Sequence, residues 1–256
     1  MPTHSIIIPH RNRNTHLECA ILFLRRSAAR CQANDYEIVV VDGNSKLLPP
    51  SADDIKVVHD PQDGPVYNKP RAQNLGIEAA GGSILTFLDA DILVGKRWFA
   101  LQRYLADPSL TKLCYRVRNL PIGISQAADA RSMDWLGSVD ACWLDYHNSH
   151  RHRLRHEGRV KPELDQAVGE PLFGNSQFSI TRDKLGDLRF CEDFAGAGWE
   201  DIWMNREIWR RWGDEYRATM PTLRYHCLFH ISHERKAPGW CSEHTVASNY
   251  QRYTET

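Results

Sequence analysis

Short runs of apolar residues, each followed by polar ones, recur along the first half of the chain. Runs of this length that end in proline, aspartate or histidine are typical of buried strands. The segments between several of them carry apolar residues at helical spacing. The resulting strand–helix–strand–strand order predicts an α/β protein with a twisted, mostly parallel sheet flanked by helices. The predicted strands are residues 5–9, 36–41, 55–59, 85–91 and 112–118.

The same pattern predicts the helices. Apolar residues between Leu17 and Leu24 indicate a helix that begins at Thr15 and ends near Cys31. Glu18 lies three residues after Thr15, so the two predict a capping box at the start of this helix. The other predicted helices cover residues 71–80, 98–105 and 202–212, and the last of them ends at Gly213.

Residues 121–170 lack a clear periodicity, although 127–144 have helical character. Within this stretch, residues 147–156 are basic and rich in histidine. A solvated loop is the simpler interpretation of such a run, and a lid that binds phosphate or an acidic acceptor is the alternative. A chain of 256 residues can bury a sizeable core, and we expect a single domain.

Composition and charge exclude several classes of function. With 42% hydrophobic and 25% charged residues the chain is typical of a globular protein, and its formal charge of zero favours neither nucleic acid nor an anionic membrane. The N-terminus resembles no secretory signal, and no apolar run approaches the ~20 residues that cross a bilayer. The seven dispersed cysteines include no C-x-x-C pair, which indicates reduced thiols and a cytoplasmic protein.

Two carboxylates, Asp89 and Asp91, follow the apolar stretch 85–88 and are separated by one small residue. If the strand continues through them, both side chains lie on one face, because residues i and i+2 of a strand point the same way. Two crowded carboxylates are unfavourable unless a cation neutralises them, so the pair predicts a divalent cation. A turn that merely ends the strand is the alternative, since aspartate is common in turns.

Two further groups of residues point to chemistry later in the chain. Glu200 and Asp201 begin a predicted helix after a Gly-x-Gly-Trp lead-in, where acids favour the helix dipole and Trp199 offers an aromatic plane. The strand-like segment 223–235 carries several histidines, of which His230 and His233 are candidate ligands because imidazole and carboxylate together suit a divalent cation.

These blocks, in this order, resemble those of GT-A-fold nucleotide-sugar glycosyltransferases. The similarity is greatest to the inverting β-1,4-galactosyltransferase-like group and the related bacterial chondroitin-type polymerases, and it covers most of the chain except 121–170. It implies a nucleotide-binding half over 1–118, a variable insertion or lid over 119–170, and an acceptor- and metal-binding half over 171–256. The five blocks are residues 8–13, 71–76, 89–91, 198–201 and 230–233.

The resemblance implies a role for each matching residue. Asp201 is similar to the catalytic base, with Glu200 beside it at the acceptor and Trp199 as part of the sugar platform. Asp91 and His233 match metal ligands for Mn²⁺ or Mg²⁺, and His230 lies where some relatives place a methionine ligand; His226 is a further candidate. The residues expected to bind the donor nucleotide sugar are Pro9, Arg11, Arg13, Asp42, Arg71 and Asp89. The chain departs from the family at His10, where phenylalanine is usual, and at Ile202, where further acids are usual.

The expected reaction is an inverting transfer of a sugar from a UDP-linked donor, of galactose or N-acetylhexosamine type, to a hydroxyl of a saccharide or other acceptor. A cation and Arg71 would stabilise the charge of the leaving diphosphate, and Asp201 would take the acceptor's proton. Three alternatives remain open: a retaining transferase, a nucleotidyltransferase, and a non-catalytic protein that binds carbohydrate or polyanions. The second is disfavoured because residues 9–12 contain no glycine.

Overall fold

The computed structural model describes residues 3–64, 66–115, 117–120, 177–196, 198–219, 228–231, 248–249 and 251. Within them, ten strands form two sheets, a large one of seven strands and a small one of three. The strands are β1 His4–His10, β2 Tyr36–Asp42, β3 Ile55–His59, β4 Ile84–Phe87, β5 Ile92–Val94, β6 Lys112–Cys114, β7 Val117–Leu120, β8 Phe178–Thr181, β9 Ala218–Thr219 and β10 Leu228–Ile231.

The helices of the described residues lie between these strands. Four are α-helices: α1 Asn14–Cys31, α2 Lys69–Ala79, α3 Arg182–Leu185 and α4 Glu200–Trp212. Two segments, Trp98–Ala106 and Gly213–Glu215, are 3₁₀-helical. None of the described helices combines the length and the apolar character that crossing a bilayer requires.

The large sheet has the strand order β3-β2-β1-β4-β8-β6-β9. The first four strands are mutually parallel, β8 is antiparallel to both of its neighbours, and β9 is parallel to β6. The prediction of a mostly parallel α/β sheet is therefore confirmed. The chain leaves β1 toward β2 on one side and later returns to β4 on the other, so the order reverses beside β1. Ligands of open α/β sheets bind at such a reversal, beyond the carboxyl ends of the strands.

Both faces of the large sheet are buried, as the continuous apolar runs of its strands require. Along β1, Ile6 and Ile8 face a core that includes α1 and the small sheet, while Ile7 faces a second core that includes α2 and α4. The second core is closely packed at Gly76, where any Cβ would collide with the side chain of Ile7. Helix α2 therefore lies directly on β1.

Three local predictions differ from the structure. Helix α1 begins at Asn14 with Arg13 at the cap position and no side-chain cap hydrogen bond, so the capping box of Thr15 and Glu18 is wrong. The segment 112–118 is two strands in different sheets, rather than one. The strand predicted over 85–91 ends at Phe87, and this early end changes the geometry of the acidic pair.

Candidate active site

The ends of β4 and β5 place the two aspartates in different surroundings. Residues 90–91 form a turn, closed by the hydrogen bond that the Ile92 N–H donates to the Asp89 carbonyl at 3.1 Å. Because extended geometry does not continue past Phe87, the two carboxylates do not share a strand face. Asp89 instead forms an ion pair with Lys69, and Asp91 forms an ion pair with Arg13. The condition for a shared strand face, that the strand continues through both aspartates, is therefore not met, and the binding of a cation at this pair stays a prediction.

Asp89 is held on both carboxylate oxygens. The Lys69 Nζ lies 2.6 Å from Oδ1, and the Gln177 side-chain amide donates to Oδ2 at 2.6 Å. Gln177 also accepts the Asp89 backbone N–H through its side-chain oxygen at 2.9 Å. This buried glutamine precedes β8, which pairs with β4, so the pairing of the two strands fixes the position of Asp89.

Asp91 is buried, with 2% of its surface exposed, and lies beside His230. The distance from His230 Nε2 to Asp91 Oδ2 is 3.6 Å. The small sheet causes this approach: β10 pairs antiparallel with β5, opposite Ile92, and the Ile231 N–H donates to the Asp91 carbonyl at 3.0 Å. The structure thus brings together two of the residues that were predicted, from distant parts of the sequence, to hold one metal.

The donor set at this point fits a divalent cation, because a carboxylate and an imidazole are ligands that such ions accept. Asp91 and His230 would supply two ligands of this kind. No group of three or more histidine, cysteine, aspartate or glutamate residues that could hold a metal occurs in the described ranges. His226 and His233 lie outside the described residues, as does the basic segment 147–156.

Lys69 links the acidic residues of the two halves of the chain. Its Nζ lies 3.4 Å from Glu200 Oε1 in addition to its contact with Asp89. Burial lowers the pKa of Lys69, but the charges of Asp89 and Glu200 outweigh burial and raise the pKa above its ordinary value. The ammonium therefore stays charged. Its place follows from the cap of α2, where the Asn68 side chain accepts the Arg71 N–H at 3.0 Å and Lys69 becomes the first helical residue.

A loop with unusual backbone conformations leads into Glu200 and Asp201. Gly196 and Gly198 have φ values of 85° and 95°, and Trp199 has φ 74°, a value that strains any residue with a Cβ. The loop is held by Asn249, whose amide donates to the carbonyls of Ala195 and Gly198 at 3.2 Å each. Such strain is characteristic of sites where a side chain must point in one direction.

Glu200 and Asp201 occupy the first turn of α4, where the helix dipole favours negative charge. Burial raises the pKa of both carboxyls, and the positive charge of Lys69 opposes that rise. The Asp201 Oδ1 accepts the Ile202 N–H at 2.8 Å, while Glu200 Oε2 is buried without a hydrogen-bond partner in the described part of the chain. A carboxylate with a raised pKa is suited to accept a proton from a hydroxyl.

The residues predicted to surround the nucleotide are tied to neighbours at the same sheet edge. His10 donates from Nδ1 to Asp42 at 3.0 Å, since its Nε2 accepts the Arg13 backbone N–H at 3.1 Å. Burial lowers the pKa of His10, and Asp42 opposes that shift. His10 thus fills, as a neutral imidazole, the place where phenylalanine was expected. The sequence predicted that Asp42 binds the donor nucleotide but gave no protein partner for it.

Two of the three predicted donor-binding arginines, Arg11 and Arg71, make different contacts. Arg71 Nε donates to Asp60 at 3.0 Å, and Arg11 Nη2 donates to the Gly64 carbonyl at 2.8 Å. Asp60 is buried, whereas Arg71 keeps about half of its side chain exposed, so the arginine is anchored at one end and accessible at the other. Pro9 lies within β1, opposite Val41 of β2.

Sequence reasoning missed Lys69, Gln177 and Tyr67. Tyr67 is 7% exposed, and its hydroxyl has no hydrogen-bond partner among the described residues. Burial raises the pKa of Tyr67, with Asp60 and Asp89 adding to the effect, so the hydroxyl keeps its proton and remains a donor. Lys69 and Tyr67 both adjoin the block 71–76, and a search that extended this block toward the N-terminus would have reached them.

Two of the three comparisons with known proteins give matches. Residues 5–115 match the model of a family described as "Glycosyl transferase family 2". A search of curated protein sequences gives no match. The likeness to solved structures is one of fold, since all three described next are at most 20% identical to this chain.

The mannosyltransferase PcManGT from Pyrobaculum calidifontis, in complex with GDP-Man and Mn²⁺, is 20% identical over 92% of this chain and 58% of that chain, with a TM-score of 0.59. S. aureus TarS 1-349 in complex with UDP is 15% identical over 91% and 61%, with a TM-score of 0.54. Its complex with UDP-GlcNAc is 13% identical over 94% and 62%, with a TM-score of 0.59. The chain thus spans less than two thirds of these structures. The comparisons confirm the predicted fold and the resemblance to GT-A glycosyltransferases.

Proposed function

We propose that this GT-A-fold chain is a metal-dependent glycosyltransferase that moves a sugar from a nucleotide diphosphate donor to a hydroxyl acceptor. The observation that carries the proposal is the contact of Lys69 with Asp89 on one side and Glu200 on the other. It joins the expected donor-binding acid to the expected acceptor-binding acids at the strand-order reversal, where a ligand of such a sheet binds. The family match over 5–115 supports the same reaction class.

The donor that we propose is a UDP-sugar of galactose or N-acetylhexosamine type. Support comes from the TarS structures, which hold UDP and UDP-GlcNAc. A GDP-linked sugar is the second candidate, since PcManGT was solved with GDP-Man. Arg71 is partly exposed and anchored by Asp60, an arrangement suited to binding the diphosphate. Arg11, Arg13, Asp42 and Pro9 stay proposed contacts of the nucleotide.

Asp201 is the proposed base. The pKa of a sugar hydroxyl lies far above neutrality, so its proton must pass to a carboxylate as the oxygen attacks. Burial raises the pKa of Asp201 and improves the match with that task. Glu200, held by Lys69, orients the acceptor, and Trp199 offers a ring face on which a sugar can stack.

The charge that develops on the leaving diphosphate needs positive partners. Asp91 and His230, joined by His233, would hold Mn²⁺ or Mg²⁺, and the bound ion supplies electrostatic stabilisation of the leaving oxygen. Lys69 and Arg71 add fixed positive charge at the same edge. Because Asp201 acts on the acceptor and takes no covalent bond to the sugar, the proposed displacement is single and inverting. A retaining transfer is the alternative, and NMR coupling constants of the product's anomeric proton distinguish the two.

The test is a hydrolysis and transfer screen of the full chain with UDP-, GDP- and dTDP-sugars in the presence of manganese. We expect one UDP-sugar to be hydrolysed faster than the others, and hydrolysis to stop when manganese is omitted. Asp91→Asn is the matched variant, since it removes one charge and preserves shape; metal-dependent donor binding should be lost. Absence of donor binding and hydrolysis across the whole screen would contradict the proposal and favour a binding protein.

The location of the protein and the division of the chain stay predictions. Of the described cysteines, Cys19, Cys31, Cys114 and Cys191 are free thiols, which is consistent with the reduced state predicted from their spacing. Strand β8, from the predicted acceptor half, lies between β4 and β6 of the predicted nucleotide half. The two halves therefore share one sheet.

A further inference from the structure

Arg13 lies at the point where the proposed metal would bind. Its Nη1 donates to Oδ2 of Asp91, the same oxygen that lies 3.6 Å from His230 Nε2. The guanidinium and the imidazole thus converge on one buried carboxylate oxygen. A divalent cation held by Asp91 and His230 would need this space, and it would place a second positive charge against the guanidinium.

The backbone of Arg13 is fixed, so the direction of its side chain is set by the fold. Its N–H donates to His10 Nε2 at 3.1 Å, and its carbonyl accepts the Leu17 N–H at 3.0 Å in the first turn of α1. The first contact depends on a buried histidine that is itself held by Asp42. Arg13 is therefore a rigid start of a helix, and only its side chain is able to move away from Asp91.

Asp91 requires a counter-charge whether or not a metal is bound. A buried carboxylate without a counter-charge is unfavourable, and removing one member of a buried ion pair strongly destabilises a protein. The ion pair with Arg13 therefore stabilises the metal-free protein. The same ion pair must be broken, at a cost in free energy, before a divalent cation can reach the carboxylate oxygen that Arg13 occupies.

We infer that Arg13 is an internal competitor of the divalent cation: its guanidinium neutralises Asp91 in the metal-free protein and leaves when the ion binds. The inference rests on the proposed function, because it concerns the metal of that same site. It assigns Arg13 a role besides the nucleotide contact predicted for it. The measured affinity for the metal then reflects two free energies: the gain when the ion binds Asp91 and the cost when the guanidinium leaves it.

The test compares Mn²⁺ binding to the full chain, its Arg13→Gln variant and its Arg11→Gln variant, by electron paramagnetic resonance of free Mn²⁺ without donor. We expect Arg13→Gln to bind Mn²⁺ roughly 10- to 100-fold more tightly, since a buried carboxylate that has lost the guanidinium charge gains more from the ion. Arg11→Gln is the matched control: it removes the same charge from the same loop, but Arg11 donates to the Gly64 carbonyl rather than to Asp91. It should change the affinity far less.

A second measurement uses the unaltered chain, so that the inference remains testable if the variant folds poorly. Adding Mg²⁺ should shift the ¹⁵N side-chain NMR signals of Arg13, identified by their absence from Arg13→Lys, and should leave those of Arg11 in place. Equal Mn²⁺ affinity in the two glutamine variants, or an Arg13 signal that saturating Mg²⁺ does not move, would overturn the inference.

The proposed function is tested separately in the same samples. Donor turnover with an unchanged Mn²⁺ affinity in Arg13→Gln refutes the inference and leaves the enzyme intact. A gain in Mn²⁺ affinity without turnover of any nucleotide sugar refutes the proposed function and supports the inference. If neither variant nor the unaltered chain binds Mn²⁺, Arg13 has no ion to exclude, and the inference is wrong.

Discussion

Lys69 and Glu200 form a buried ion pair, 3.4 Å from Nζ to Oε1, that connects helix α2 with the N-terminus of helix α4. Because Nζ also lies 2.6 Å from Asp89, this ammonium is the physical link between the expected donor and acceptor sides. Glu200 and Asp201 lie next to each other and repel as carboxylates. Burial raises the pKa of both, and the charge of Lys69 opposes that rise.

Replacing Lys69 by methionine should shift the pH dependence of turnover. Burial already raises the pKa of Glu200 and Asp201, and Lys69 opposes that rise, so its loss raises both pKa values further. The base must be ionised, and activity disappears as the pH falls through its pKa. The acid limb of kcat against pH should therefore move to higher pH in Lys69→Met.

Two further variants are the controls for this measurement. Lys69→Arg keeps the charge and should keep the acid limb close to its original position. Lys56→Met removes a lysine from the surface, where Lys56 donates to the Ala79 carbonyl at 2.6 Å, and should leave the profile unchanged. An acid limb that stays in place in Lys69→Met would mean that the lysine does not control the ionisation of the base.

Asp201→Asn should lose turnover, retain donor binding and stabilise the fold at neutral pH. A carboxyl whose pKa is raised in the folded state binds its proton more tightly when folded, so stability rises as the pH falls through that pKa and is lower above it. Asparagine carries no charge, so the variant avoids the loss of stability that ionised Asp201 causes above its pKa. Donor affinity by calorimetry, kcat and melting temperature between pH 5 and 8 measure the three effects.

Glu207→Gln is the control for that substitution. Glu207 lies on the same helix and pairs with Arg210 at 2.9 Å, away from Lys69. It should leave kcat and donor affinity unchanged. Turnover that persists in Asp201→Asn would remove Asp201 as the base and leave Glu200 as the remaining carboxylate of the pair.

The sequence could predict those parts of the fold that depend on local patterns of residues. Strands β1 and β2 follow from their apolar runs. The end of α4 at Trp212 follows from the tolerance of Gly213 for φ 49°. The approach of His230 to Asp91 was expected only from the order of the blocks. It depends on the pairing of β10 with β5, a long-range contact that no local pattern encodes.

The contacts of Lys69 and Arg13 could not be predicted from local sequence. Whether a lysine is exposed or buried depends on what the tertiary fold places around it, and Lys69 is surrounded by acids from two separate stretches of the chain. The strand expected through Asp91 ended early because the chain turns after Asp89 to begin β5 in the second sheet. Because of that turn, Asp89 pairs with Lys69 and Asp91 pairs with Arg13.

Tyr67→Phe should make the protein more stable and weaken its binding of the donor. The hydroxyl is buried without a hydrogen-bond partner in the described ranges, and an unsatisfied buried group of this kind costs about 1–3 kcal/mol. Phenylalanine removes that cost, so the free energy of unfolding should rise. If the hydroxyl is kept to donate to the nucleotide sugar, the dissociation constant of the donor should increase by roughly tenfold.

Urea unfolding and calorimetric titration of the donor measure these two opposite effects. Tyr104→Phe is the matched control, because Tyr104 is exposed and the same atom is removed. Both quantities should stay near those of the unaltered chain in this control. A gain in stability with unchanged donor affinity would show that the Tyr67 hydroxyl is a defect of packing and has no contact with the donor.

The strain at Trp199 gives the last prediction. Its φ of 74° is costly for tryptophan and free for glycine, so Trp199→Gly relieves the strain, whereas Trp199→Ala retains it. Both variants lose the indole equally, and the difference between them isolates the backbone: Trp199→Gly should be more stable than Trp199→Ala by about 1 kcal/mol. Both should lose acceptor affinity, measured as a rise in the acceptor KM, if the ring stacks on the sugar. Equal stability of the two variants would show that the αL conformation at 199 stores no strain, and an unchanged acceptor KM would remove Trp199 from the sugar site.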